Sequence, residues 1–278
     1  MGKTSLNLNE MLFDLKAAAR LGVPEALDMA LAALDDWPAF VANARLKEED
    51  VAAILVPLGE VLAQPAVPET YLRMLAAHPL AGARALAASA LALRALRGGK
   101  VPRKLLPQLA ADKRLEVRHA VITVLQRHGV THSAALLALL REWLTARRSP
   151  RLAATALAVL QALTPTCPQE ALALLAALPP AQRNAPEVQP ALGDALRQMA
   201  AAGHAEDVLA LLEQWQADGL PAEAVLRALR GEWVYAQRER VAALLDALEA
   251  QTGPSRALRR SRQHLGEDAD SAEDGEAS

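Results

Sequence analysis

LLPQLAADKRLEVRHAVITVLQRHG, residues 105–129, holds the pattern from which the architecture follows. A leucine-rich run stops at Asp112-Lys113-Arg114 and a second apolar-periodic run begins at Leu115, so the segment reads as two helices joined at Asp112. The second run has a copy on each side, HPLAGARALAASALALRAL (78–96) and RSPRLAATALAVLQAL (148–163). Aligned on Arg84, Arg118 and Ala154, these copies are offset by 34 and 36 residues. A fourth, NAPEVQPALGDALRQMAAAG (184–203), puts Gln189 another 35 on. Leucine-rich first helices precede them, among them RKLLPQLAA (103–111) and SAALLALLREWL (133–144). A period of roughly 20–50 residues is the mark of a repeat array, in which each unit buries its apolar face against the next.

Composition agrees. The 278 residues include 62 Ala and 50 Leu against 2 Ile and 17 Val, and aromatic residues make up 3%. Ala and Leu favour helices, and the scarcity of strand formers excludes an all-β fold and argues against a parallel-sheet enzyme. Prolines punctuate the chain at the edges of the apolar runs, as expected where helices begin. The expected helices from residue 69 onward are 69–77, 80–97, 102–111, 115–128, 133–147, 150–163, 168–178, 187–202, 205–217, 222–230, 233–251 and 255–264, with four more over the first 63 residues.

The 105–129 segment resembles a HEAT repeat, with its LLP-x-L first helix, the turn Asp and V-R-x-A in the second helix. The neighbours at 70–97 and 134–163 resemble it less closely. Residues 186–230 are also similar to the HEAT-like repeats of the bacterial alkylpurine DNA glycosylase family. The resemblance implies an all-α fold, an α-solenoid wound as a right-handed superhelix of antiparallel HEAT-like pairs. Residues 1–68 are then expected to form a helical N-terminal cap and 69–264 the array. Residues 265–278, rich in acid and without large apolar side chains from 266 on, are expected to be a disordered tail.

Charge is distributed in blocks. Lys and Arg number 5 against 11 acids over residues 1–72, 15 against 3 over 73–163, and 10 against 18 over 164–278. A solvated surface normally mixes signs, so the basic segment 73–163 points to a polyanionic partner. Lys113 and Arg114 lie in one turn, and Arg147, Arg148 and Arg151 in the equivalent turn of the next copy. Stacked repeats would set these turns side by side as a ridge along one edge, with Arg84 and Arg118 on the second helices, while Arg94, Arg97, Lys100, Arg103 and Lys104 cluster around the opposite, inter-repeat turn. Two basic rims suit a phosphate backbone.

Other chemistry is weakly marked. Gly2-Lys3-Thr4 lacks the upstream strand and glycine of a phosphate loop. His128 and His132 have a metal-like spacing without further ligands, so no metal or cofactor is expected. The single Cys167 offers no internal disulfide. Trp side chains and an Asp cradle the damaged base in the glycosylase family, yet none of Trp37, Trp143, Trp215 and Trp233 is followed by Asp four residues on. The expectation leans away from catalysis. The absence of an apolar leader run or a spanning segment leads to an expected cytoplasmic location without membrane contact. The favoured reading is a module binding nucleic acid, with duplex DNA first, through Lys113, Arg114, Arg118, Arg147, Arg148, Arg151, Arg84, Arg103 and Lys104. Alternatives are a scaffold for an acidic protein segment and a repair glycosylase.

Overall fold

The computed structural model describes residues 56–99, 104–145 and 149–273. Arg103, Arg147, Arg148, Trp37 and most of the expected N-terminal cap lie outside them. The described residues contain helices and connecting turns and no strand. The chain divides into two compact units within one helix, residues 1–139 and 140–278.

In the first unit the helices are α1 (Val56–Leu62), α2 (Glu69–Ala76), α3 (Ala81–Leu96), α4 (Leu105–Ala110), α5 (Leu115–Gly129) and the start of α6 (Ser133–Thr145). Helices α1, α3 and α5 pack side by side in one row, while α2 and α4 pack on each other and on α3. Helix α3 is apolar almost all round, and Ala83, Ala85, Leu86, Ala87, Ala90, Leu91 and Leu93 are all buried, as the middle member of a row must be. Helix α5 buries the stripe Val117, Ala120, Val121, Val124 and Leu125, the i, i+3, i+4, i+7 spacing of a one-sided helix. Glycine lets α1 approach α3 closely: a Cβ on Gly59 would lie 2.1 Å from the Ser89 Cβ of α3.

In the second unit, the rest of α6 is followed by α7 (Pro150–Leu160), α8 (Pro168–Ala176), α9 (Pro180–Arg183), α10 (Gln189–Met199), α11 (Ala205–Gln216), α12 (Ala222–Ala228), α13 (Arg238–Thr252) and α14 (Arg256–Glu273). Helices α7, α10, α12 and α14 pack in series, and so do α8, α11 and α13. Local signals set the starts. Ser149 Oγ accepts from the Leu152 amide at 3.3 Å, with Pro150 in the first helical position. Gly203, at φ 99°, turns the chain from the end of α10 into α11, a left-handed conformation that L side chains avoid.

Two differences from the sequence reading are structural. The short helix α9 was not expected; Pro179 and Pro180 start it, and Asn184 ends it within a turn. The last helix also runs to Glu273, past the boundary at 265, so the first part of the expected disordered tail is helical. Acidic composition prevents burial, but it does not stop an anchored helix from extending, because propagation lacks the cost of nucleation.

Polar ties link elements about one repeat apart. Arg183 Nη2 donates to Asp218 Oδ2 across 35 residues, Gln189 Oε1 accepts from the Glu223 amide across 34, and Arg227 Nε donates to Asp194 Oδ1 across 33. Gln251 brackets Leu220, accepting from its amide at 2.8 Å and donating to its carbonyl at 3.0 Å.

Candidate nucleic-acid interface

The turn between α4 and α5 is built on Asp112. Its Oδ1 accepts the backbone N–H of Arg114 at 2.8 Å, which closes the turn. Arg84 on α3 grips the same carboxylate with two bonds, Nε to Oδ2 at 2.8 Å and Nη2 to Oδ1 at 3.1 Å. Both side chains are 12% exposed. Burial pushes the Asp112 carboxyl up, but the Arg84 and Arg114 hydrogen bonds and the Arg84 and Arg118 charges outweigh it, leaving the group below its ordinary value.

Arg84 and Arg118 are used alike. Arg84 Nη1 donates to the His78 carbonyl six residues back at 2.9 Å, and Arg118 Nη1 donates to the Asp112 carbonyl six back at 2.7 Å. Arg84 Nη1 also reaches the Pro79 carbonyl at 2.8 Å. Four of the five guanidinium N–H groups of Arg84 are therefore committed inside the protein. Arg84 is withdrawn from the phosphate-contacting set, since its charge is spent on the fold. Arg118, half-buried, has no side-chain bond beyond that one carbonyl among the described residues.

The remaining described Lys and Arg side chains of the first unit fall into two groups, engaged and exposed. Arg73 pairs with Glu69, and Arg127 with Glu60, which also meets His128 Nε2 at 2.9 Å. Arg94 is turned inward, its Nη2 donating to the Gln64 and Val67 carbonyls at 2.7 Å each. Arg97, Lys104, Lys113 and Arg114 are exposed and have no acidic partner among the described residues. Lys113 and Arg114 are thus brought together on one turn, as the sequence suggested. Arg151 is exposed near the start of α7 in the second unit.

Two of the four tryptophans are core residues. Trp143 and Trp215 are 1% and 2% exposed, so neither presents a ring face to a base. Trp233 is half-buried and donates from Nε1 to the Ala228 carbonyl at 3.3 Å. Arg183 lies buried with its guanidinium carbon 5.0 Å from the Trp215 ring centroid, a cation–π contact absent from the sequence reading. Sequence periodicity marks Arg183 only as a base near a proline pair, so its inward direction had no local signal. Among the described residues, no three His, Cys, Asp or Glu side chains converge as a metal site, and no helix is long and apolar enough to cross a membrane.

No protein-family model, curated protein or solved structure matches this chain.

Proposed function

We propose that this chain is a non-enzymatic helical-repeat module, a HEAT-like α-solenoid, that binds nucleic acid through its basic turns, with duplex DNA as the principal ligand. The observation that carries the reading is the Asp112 turn. Its carboxylate is consumed by Arg84 and the Arg114 amide, so it cannot neutralise the exposed Lys113 and Arg114 side chains fully. Two cations are held on a fixed turn and face solvent without an acid of their own among the described residues. Such a turn contacts phosphates and supplies no base readout. Equivalent use of Arg84 and Arg118 at a 34-residue offset supports the repeat register. The burial of Trp143 and Trp215, and the engagement of Asp112 with Arg84, both favour binding over glycosylase chemistry.

The test is a salt-titrated binding series on duplex DNA, single-stranded DNA and RNA. With Lys113→Glu and Arg114→Glu combined, each lost phosphate contact flattens the slope of log K against log salt by about 0.9 on duplex. The loss is similar on unrelated sequences. Unchanged low-salt affinity refutes the reading. A second reading, an acidic protein segment as partner, is favoured by Leu115, which follows Arg114 and is 43% exposed. It is distinguished by binding to an acidic peptide that survives moderate salt and weakens on Leu115→Ser.

A further inference from the structure

In the second unit, helix α14 lays one face over the end of α12. Ala257, Arg260, Ser261 and His264 recur at i, i+3, i+4 and i+7 on that face, opposite Leu226, Leu229 and Arg230. Together these residues line an open cavity of about 400 Å³. Its lining is divided by chemistry. Leu226, Leu229 and Ala257 are apolar, whereas Arg230, Arg260, Ser261 and His264 supply two guanidiniums, a hydroxyl and an imidazole.

The two guanidiniums differ from their neighbours. Arg227, one turn before Arg230, is tied to Asp194 at 2.8 Å, and Arg262, beside Arg260, is tied to Asp246 and Glu249 at 2.7 and 2.6 Å. Arg230 and Arg260 are exposed and have no acidic partner among the described residues. The imidazole is held in place from outside the cavity lining: the Tyr235 hydroxyl lies 3.1 Å from His264 Nε2, and the two rings are 5.3 Å apart. Arg230 and His264 are 34 residues apart, one repeat period, which is the signal by which sequence alone could have paired them.

We infer that this cavity is a binding site for a small organic phosphate, a phosphate monoester carrying a ring or other apolar group. The guanidinium fork matches phosphate oxygens with paired, charge-assisted hydrogen bonds, and Ser261 and His264 add further polar contacts at the same wall. Leu226, Leu229 and Ala257 would cover the organic part, which inorganic phosphate lacks. The volume falls in the range of small-ligand pockets, roughly 300–1,000 Å³. The inference does not depend on the duplex-binding reading, since it uses residues of the second unit alone and its variants leave Lys113 and Arg114 intact.

The probe is phenyl phosphate, with inorganic phosphate and phenol as the two halves, titrated calorimetrically into the full chain at low ionic strength. Phenyl phosphate is expected to bind in the millimolar range or tighter and more strongly than either half. Arg230→Gln and Arg260→Gln should each weaken it by about tenfold, the worth of one charged hydrogen bond. Arg259→Gln, on an exposed position of α14 outside the lining, should leave it unchanged. Both lining arginines are exposed, so circular dichroism and melting should match the parent. Absence of phenyl phosphate binding, or equal weakening by Arg259→Gln and the two lining variants, overturns the proposal. Equal binding of inorganic phosphate and phenyl phosphate overturns the role of the apolar wall and with it the ligand class.

Discussion

Replacing Asp112 should be among the most damaging single polar changes in the first unit. Asp112→Ala removes both bonds from Arg84, at 2.8 and 3.1 Å, and the acceptor for the Arg114 amide. Removing one partner of a buried ion pair costs about 3–5 kcal/mol, because the other charge is left behind. Here both side chains retain 12% exposure, and Arg84 keeps its His78 and Pro79 carbonyls, which places the loss near the low end, about 3 kcal/mol. Asp112→Asn keeps an acceptor for the amide and should cost about half as much. Urea unfolding followed by circular dichroism measures both, and a cycle with Arg84→Ala isolates the pair. The pH dependence has a fixed sign. The folded pKa is depressed, so the stabilisation is complete above the unfolded value of about 3.9 and disappears as pH falls through the folded value. Parent and Asp112→Asn should therefore converge below about pH 4. A coupling energy within about 0.5 kcal/mol of zero, or a gap that persists unchanged to pH 3, refutes the assignment of Asp112 as the anchor of this turn.

Two glycines should respond oppositely to alanine. A Cβ on Gly193 would lie 2.7 Å from the Arg227 Cβ and 2.8 Å from the Ala224 carbonyl, so Gly193→Ala should push α10 from α12 and lower stability by about 1–3 kcal/mol. Gly266 in α14 has open space, and Gly266→Ala should be neutral or stabilise by up to about 1 kcal/mol in the same melts. In the Arg183 cluster, Arg183 is 3% and Asp218 59% exposed, so Asp218→Asn, which keeps an acceptor but takes the carboxylate from a buried guanidinium, should cost about 1–3 kcal/mol, and Trp215→Ala about 3–5 kcal/mol. Ser149→Ala deletes the cap of α7 and should cost about 1 kcal/mol in chemical denaturation, with most of it recovered by Ser149→Asp.

The composition and the 34-residue repeat of the second helices carried the secondary structure. Helices α2, α3, α5, α8 and α11 begin and end within two residues of the expected limits, because local information, the 3.6-residue apolar period and in α8 also proline at the first turn, is sufficient there. The Lys113–Arg114 turn was legible for the same reason, since adjacent residues stay adjacent in any fold. What the chain could not reveal is the destination of each arginine. Arg84 and Arg114 look alike in sequence, yet Arg84 is locked on Asp112 and two carbonyls while Arg114 is exposed. Likewise Arg262 is neutralised by Asp246 and Glu249, and Arg260, two residues before it, reaches the cavity beside Arg230. A charge acquires its role from partners on another helix or turn, 28 residues away for Arg84 and Asp112 and 16 and 13 for Arg262, and packing between helices selects those partners. Helical periodicity fixes the face a side chain occupies, but only the neighbouring helix determines whether a carboxylate, a carbonyl or solvent lies opposite it.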